Sequence, residues 1–335
     1  MPLPDTPWHQ LKEQLRRQAL SVGFDVAGFA PPVPPPHAAD FPLWLAQGCH
    51  GDMTWMERYK EQRQNPRLLL TDVASILVVG ANYRPKGDPL DYLENPAAMG
   101  ISAYARHRDY HTVLKKRLQT LHHWLEQQVG QPVPARLFVD TAPVLEKPLA
   151  VLAGLGWQGK NTMLVNRQFG CWLFLAEMFL TLPFPPDAVE PDHCGTCHRC
   201  QDACPTGALA QPYRLDAHRC LAYMTIESKE NMPEHYQRLL GNRVYGCDDC
   251  VALCPFNRFA PVSEEEDYHP QPPLLAPKLA DFTGMDEKRF QEIFRQSPIK
   301  RLGRERFLRN LGVAINNERR AAKPRQALDR SAKSA

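Results

Sequence analysis

The sequence predicts an α+β fold in three parts: a mixed α and β domain over residues 1–187, a small domain over 188–262, and a helical segment over 263–335. Three observations predict it. Short apolar runs alternate with amphipathic stretches before residue 187. Proline-rich stretches at Pro183–Pro191 and Pro261–Pro277 bracket a segment that holds eight of the ten cysteines. Apolar positions at helical spacing return after residue 278. With 43% apolar and 23% charged residues the chain is an ordinary globular one, not a disordered one. Its 32 prolines, about twice the usual share, argue for many loops and against a helical bundle.

In the first part, Ser75-Ile-Leu-Val-Val-Gly80 reads as a buried strand. Asp109 to Val129 reads as an amphipathic helix, with Leu114, Leu118, Leu121 and Leu125 on one face, Asp109 as its cap and Gly130 as its stop. Arg136 to Asp140 reads as a strand ending in a carboxylate, Lys147 to Leu155 as a helix and Cys171 to Leu182 as a second buried strand. An early proline run, Pro31–Pro36, marks a loop. In the third part Phe290, Ile293, Phe294, Leu308 and Leu311 outline helices, and the last ~15 residues have too little apolar content to fold.

The net charge is only +3, but ten basic residues against two acids lie between Arg295 and Arg325. Such a block fits either an anionic partner or a solvated helix face. The N-terminus lacks the charged start and apolar core of a signal peptide. The longest nearly apolar run, Cys171–Phe184, contains Glu177 and falls short of the ~20 residues of a membrane span. The expectation is a cytoplasmic protein with reduced cysteines, whose spacing then points to metal before disulfides.

Cys194-x2-Cys197-x2-Cys200-x3-Cys204-Pro205 is the spacing of a bacterial-ferredoxin-like 4Fe–4S run, and Cys247-x2-Cys250-x3-Cys254-Pro255 repeats it one ligand short, with Val244 at the first position. Cys220 makes up the count. In two-cluster ferredoxins the fourth cysteine of each run serves the other cluster. The assignment is therefore Cys194, Cys197, Cys200 and Cys254 for one cluster, and Cys204, Cys220, Cys247 and Cys250 for the other. Zinc, with His193 and His198 nearby, is the alternative, but it does not explain the x3-Cys-Pro step appearing twice. Cys49 and Cys171 fit no spacing and read as a loop thiol and a core residue. An electron carrier alone needs little more than residues 188–260, so the rest of the chain argues for a catalytic or docking domain.

Gly154-Leu-Gly156-Trp-Gln-Gly159-Lys160-Asn161 matches a dinucleotide loop and, except at Asn161, a P-loop. Neither context fits, because a helix precedes it where a strand is needed. A helix stop with a tight loop, or a loop that lays its backbone against a bulky cofactor, both remain open. Asp140 fits either a helix cap or a general acid at a pocket edge. Arg106, His107, Arg108, Asp109 and His111 form a polar cluster that reads as a solvated helix start.

The chain resembles the epoxyqueuosine reductases from about residue 10 to residue 320. The likeness rests on Arg63-Gln-Asn-Pro-Arg67, Ala103-Tyr-Ala-Arg106 with Asp109-Tyr-His111, Val139-Asp-Thr141, Gly156-Trp-Gln-Gly-Lys-Asn161, the Cys194–Pro205 run and Gly241-Asn-Arg-Val-Tyr-Gly-Cys-Asp-Asp-Cys250. The resemblance implies a cobalamin-binding catalytic domain over 1–187 beside two 4Fe–4S clusters, with Asp140 as proton donor. It implies that Arg63, Tyr104, Asp140, Asn161, Cys247 and Asp248 surround the corrin. A carboxyl buried there is expected to have a raised pKa. The implied partners are tRNA carrying epoxyqueuosine in the anticodon and an external electron donor of the flavodoxin or ferredoxin type, with no membrane, for a protein acting as a monomer. His107 stands where the resemblance expects glycine. The helical-repeat extension of some members is not seen, so the Arg295–Arg325 block is the expected grip on tRNA. The histidine signature D-x-H-x-x-G of cobalt ligation is missing, since Asp109-Tyr-His-Thr-Val-Leu114 ends in leucine. Two other readings stand beside this one: a cobalamin and iron–sulfur reductase of a small molecule, like a reductive dehalogenase, and a non-catalytic electron-transfer protein.

Overall fold

The computed structural model describes residues 7–322. The expectation of an unfolded tail falls largely on residues outside that range.

The first part is built on a four-stranded antiparallel sheet. In chain order the strands are β1 (Val26–Ala30), β2 (Ser75–Asn82), β3 (Gly100–Ile101), β4 (Ala135–Phe138), β5 (Trp157–Gln158), β6 (Leu164–Val165), β7 (Leu173–Leu180) and β8 (Arg243–Tyr245). The sheet runs β1-β2-β7-β4. Every residue of β2 is buried because helices cover both faces. Leu77, Val79 and Ala81 pack with the Pro7–Ser21 and Tyr110–Val129 helices, while Ile76 and Val78 pack with the Glu146–Leu152 helix. A strand sandwiched this way has no polar face, which is why its sequence reads as a run and not as alternation.

The long helix starts and stops as its sequence predicts. The Asp109 side chain accepts from the His111 N–H, and Gly130 closes the helix at φ 75°. The Glu146–Leu152 helix ends before Gly154, so no strand leads into the glycine loop. Gly154 and Gly156 are required by close backbone approach: a Cβ would lie 2.4 Å from the Ala188 oxygen and 2.1 Å from the Val165 oxygen, respectively. The loop continues as the β5–β6 hairpin, an element that the sequence pattern does not announce.

The cysteine domain is tied to the rest through strand pairing and through buried side chains. Strand β3 pairs parallel with β8, and Asn310 of the Arg304–Ala322 helix donates to the Thr225 and Val244 carbonyls. The C-terminal helices enclose a core of Phe282, Phe290, Phe294, Phe307 and Leu311. Among the described residues no helix is long and apolar enough to cross a membrane.

Candidate functional site

Asp140 lies two residues past the end of β4, in the left-handed region at φ 55°. Aspartate tolerates that region better than most residues, but the turn still has to be held. Its backbone N–H donates to Glu146 Oε1 at 2.5 Å. Its half-exposed carboxylate accepts from the Tyr110 hydroxyl and from His111 Nε2, each at 3.0 Å. The other ring nitrogen, His111 Nδ1, is 2.7 Å from Asp109. Arg301 donates to Asp109 at 2.7 Å and lies 3.0 and 3.1 Å from the two His111 nitrogens. The Tyr110 ring stacks on Phe174 with centroids 4.2 Å apart, which fixes the hydroxyl. Tyr104 and Tyr245 meet through their hydroxyls at 3.2 Å beside it.

These contacts overturn one expectation. Burial pushes the Asp140 carboxyl up, but the hydrogen bond and charge of His111, the Tyr110 hydroxyl and Lys147 outweigh it and hold it below the ordinary range. The raised acids stand behind it. Burial and the Asp140 charge push Glu146 up to about 7. Glu177, fully buried on the same face of β7 as the Glu146 helix, is pushed up by burial and by Glu146. Neither Glu177 oxygen has a hydrogen-bond partner, and a buried, unpaired carboxyl beside Glu146 favours its protonated form. Burial works against a charge on His111 too, yet Asp109 and Asp140 on its two nitrogens raise its pKa overall. The cluster read as a solvated helix start is thus half of the site. Its signal in the sequence was a cap residue and a histidine two positions apart, next to a tyrosine. His107, by contrast, is a core residue, 1% exposed between Phe174 and Tyr268, and burial lowers its pKa to about 4.

Arg63 is buried with its guanidinium 5.2 Å from the Trp55 ring centroid. Burial lowers its pKa, while the Asp140 and Glu146 charges support it. Its Nε has no partner. A buried, unpartnered donor in the field of Asp140 fits a polar ligand bound beside it. The Asn161 and Asp248 side chains face other tasks. Asn161 donates to the Cys250 carbonyl at 3.0 Å and accepts from the Met163 N–H. Asp248 accepts from the Ser102 hydroxyl and from the Ala103 N–H, and so sets the loop that carries Tyr104. Both are buried and have those protein partners instead of a free polar atom.

Eight of the cysteines lie near enough to one another to shift each other's pKa. The Cys200 thiol is pushed up to about 11 by burial and then by Cys194, Cys254 and Cys197. Cys250 is pushed up by burial, then by Cys247, Cys220 and Cys204. Cys200 is a further contributor to the Cys250 shift, so the two sets adjoin each other. Among the described residues no three His, Cys, Asp or Glu side chains are grouped for a single metal ion. The glycine loop serves these thiols. Lys160 Nζ donates to the Gly195 and Cys197 carbonyls at 2.6 and 2.9 Å, and Asn161 holds the second run at Cys250. Arg243 Nη2 donates to both Asp249 oxygens at 2.7 Å with both side chains 7% exposed, beside Cys247. His193 and His198 bond to Glu190 and Asp202. Cys171, a core residue as expected, meets the Cys254 thiol.

The basic block divides. Arg306 and Arg309 clasp carbonyls of residues 224–230 and the adjoining helix, so they stabilise the fold. Arg295, Lys300, Arg301, Arg319 and Arg320 are exposed, whereas Lys323 and Arg325 fall outside the described residues.

Residues 63–141 match the family model described as Epoxyqueuosine reductase QueG, DUF1730, and residues 193–257 match the 4Fe-4S double cluster binding domain. The chain is 39% identical to the epoxyqueuosine reductase of Escherichia coli over 92% of its length and 82% of the relative's. It is 42% identical to that of Xanthomonas campestris over 91% and 86%. A crystal structure of an epoxyqueuosine reductase with an epoxyqueuosine-modified tRNA stem loop superposes with a TM-score of 0.84, at 30% identity, over 93% of this chain and 82% of that one. The Bacillus subtilis enzyme, with its catalytic aspartate loop swung out of the active site, also gives 0.84, at 29% identity, over 94% and 83%.

Proposed function

The chain belongs to the epoxyqueuosine reductase family, and from that premise we propose that it reduces epoxyqueuosine to queuosine at the wobble position of tRNA, with Asp140 as proton donor beside a bound cobalamin. The enzyme is an oxidoreductase whose second domain is of the 4Fe–4S double-cluster type. The two thiol quartets hold the two clusters, and an external flavodoxin- or ferredoxin-type donor refills them in a cytoplasmic monomer. The solved relative with a modified stem loop supports tRNA as the substrate, and the catalytic aspartate loop of the Bacillus subtilis enzyme supports the Asp140 loop as the reacting segment.

The observation that carries this reading is the Asp140 turn, held in a left-handed conformation by Glu146 with its carboxylate facing solvent between His111 and Tyr110. Converting an epoxide to an alkene takes two electrons and two protons and releases water. A bound cobalamin would supply the two-electron reduction, and Arg63 and Tyr104 would hold it, with the Cys247–Asp248 backbone as a further wall. Asp140 is anionic at rest, so the proton it gives the departing oxygen has to be replaced. His111, whose pKa Asp109 and Asp140 raise and which lies 3.0 Å from the carboxylate, passes one from Nε2 to Oδ2. Asp109, on Nδ1, keeps the ring in that orientation. Exposed Arg301, Lys300 and Arg295 supply phosphate contacts, and the modified base enters splayed from its stem.

The test is Asp140→Asn, assayed on an epoxyqueuosine-bearing stem loop. It should keep the iron–sulfur and corrin absorbance of the parent and lose turnover by about 10²–10⁴-fold. Turnover near that of the parent would remove Asp140 from the mechanism.

A further inference from the structure

A solvent-open groove of about 530 Å³ runs beside Cys254, walled by Arg84, Arg199, Leu253, Arg258 and Val262, with Asp88 at its edge. The cysteine runs themselves bring the walls together. Arg199 lies between Cys197 and Cys200, and Leu253 and Arg258 flank Cys254. Arg84 is anchored by its bond to the Ala260 carbonyl at 2.7 Å. Arg199 and Arg258 are exposed and form no ion pair among the described residues, and Arg258 lies 4.3 Å from the Phe259 ring centroid. Around them Leu253, Phe259 and Val262 are 49%, 58% and 40% exposed. Large apolar side chains standing in water beside two exposed arginines without ion pairs are the makings of an interface.

The proposed reaction consumes two electrons per epoxide, and nothing in the chain regenerates them. A donor has to approach one of the thiol quartets, and this groove is where Cys254 of the first quartet lines an open surface. We infer that the groove is the docking surface for a small acidic protein that carries one electron at a time. The inference rests on the reading that the cysteines hold iron–sulfur clusters. In each encounter the carrier loses one electron and the iron–sulfur centre gains it, with no bond made or broken and no proton moved. The arginines steer the acidic partner and the apolar patch gives it a short-lived seat, as suits a transient redox contact. A phosphate backbone would gain from the arginines but not from Leu253, Phe259 and Val262, so the groove favours the protein carrier over tRNA.

The experiment uses anaerobically purified holoprotein and reduced flavodoxin as the probe. Arg258→Glu and Arg199→Glu should each slow electron uptake from flavodoxin by about tenfold at low salt, with the difference shrinking as salt rises. Binding of oxidised flavodoxin, followed by calorimetry, should weaken by a similar factor, and Arg258→Lys should restore both. Bleaching by dithionite, which needs no docking, should be unchanged in every variant. If the charge-reversed variants bind flavodoxin and take up its electrons as the parent does, the groove is not the docking surface. A loss of stem-loop affinity in place of flavodoxin affinity would exclude the carrier equally and assign the groove to tRNA. A parent protein that dithionite does not bleach would overturn the cluster reading itself, and this inference with it.

Discussion

In the cysteine domain seven of eight clustered thiols lie in two short runs, Cys194–Cys204 and Cys247–Cys254. The Asp140 site draws on Arg63, Asp109 to His111, Asp140, Glu146, Glu177 and Arg301, spread over more than two thirds of the chain. The first region holds its reactive atoms by backbone: Lys160 and Asn161 donate to carbonyls of both runs, and Arg243 neutralises Asp249 beside them. The second holds its reactive group by a hydrogen-bonded set of titratable side chains around one unfavourable backbone conformation. A centre that passes electrons needs rigid surroundings and no proton. A group that passes protons needs neighbours whose charges trade off against its own.

The sharpest way to break that contrast is to remove the neutralising charge from the rigid region. Arg243→Met leaves Asp249 buried without the guanidinium that donates to both its oxygens. Losing one member of a buried pair costs about 3–5 kcal/mol, read as a lower urea midpoint. Because Cys247 sits two residues from Asp249, iron–sulfur absorbance should be lost early in the same transition. An unchanged midpoint would mean that water reaches Asp249 and the domain is less rigid than its geometry.

The contrast also sets how much the sequence could disclose. Cluster ligands must lie on one turn of local chain, so their spacing survives as a pattern, and the proline after Cys204 and Cys254 marks where each run turns away. Buried strands and the capped helix were legible for the same reason: their signals are local. The glycine loop was misleading. Its residues satisfy a nucleotide-binding pattern, while Gly156 is there because the Val165 carbonyl leaves no room for a Cβ. The proton site was half legible. Arg63 entered through family likeness alone, and the local sequence left Asp140 open between a helix cap and a general acid. Nothing local marks Glu177, an acid inside an apolar strand, as the partner of Glu146, because they meet only when β7 packs under a helix that starts 31 positions earlier. The basic block was legible as a count and not as a division of roles. Composition counts arginines equally, but Arg306 and Arg309 are committed to carbonyls and Arg301 to Asp109.

A smaller effect sharpens the division within that block. Arg301→Gln removes an exposed charge at the mouth of the Asp140 site. Stem-loop affinity should weaken, and the slope of log affinity against log salt should fall by about 1. A weaker affinity with the parental slope would make Arg301 a positioning residue for His111 and not a phosphate contact.

The smallest effect tests the titratable set itself. Glu146→Gln keeps an oxygen for the Asp140 N–H, so the turn and most of the turnover should persist. What it removes is an ionisation. Glu146 titrates at about 7 in the folded protein, above its ordinary 4.5, so its contribution to stability is complete below that ordinary value and is lost as pH rises through about 7. The glutamine cannot ionise. Measured by thermal unfolding, the variant should therefore gain on the parent between about pH 5 and 8, and the gain should level off above that. Glu177, raised for the same reason, adds to the trend in the parent and loses its like-charged neighbour in the variant. Asp140, held low, works in the opposite sense, but its contribution is lost only as pH falls below the ordinary carboxylate range, outside this window. If the two curves instead run parallel across the window, Glu146 is not the protonated member behind Asp140, and the proton held in this region belongs to Glu177 alone.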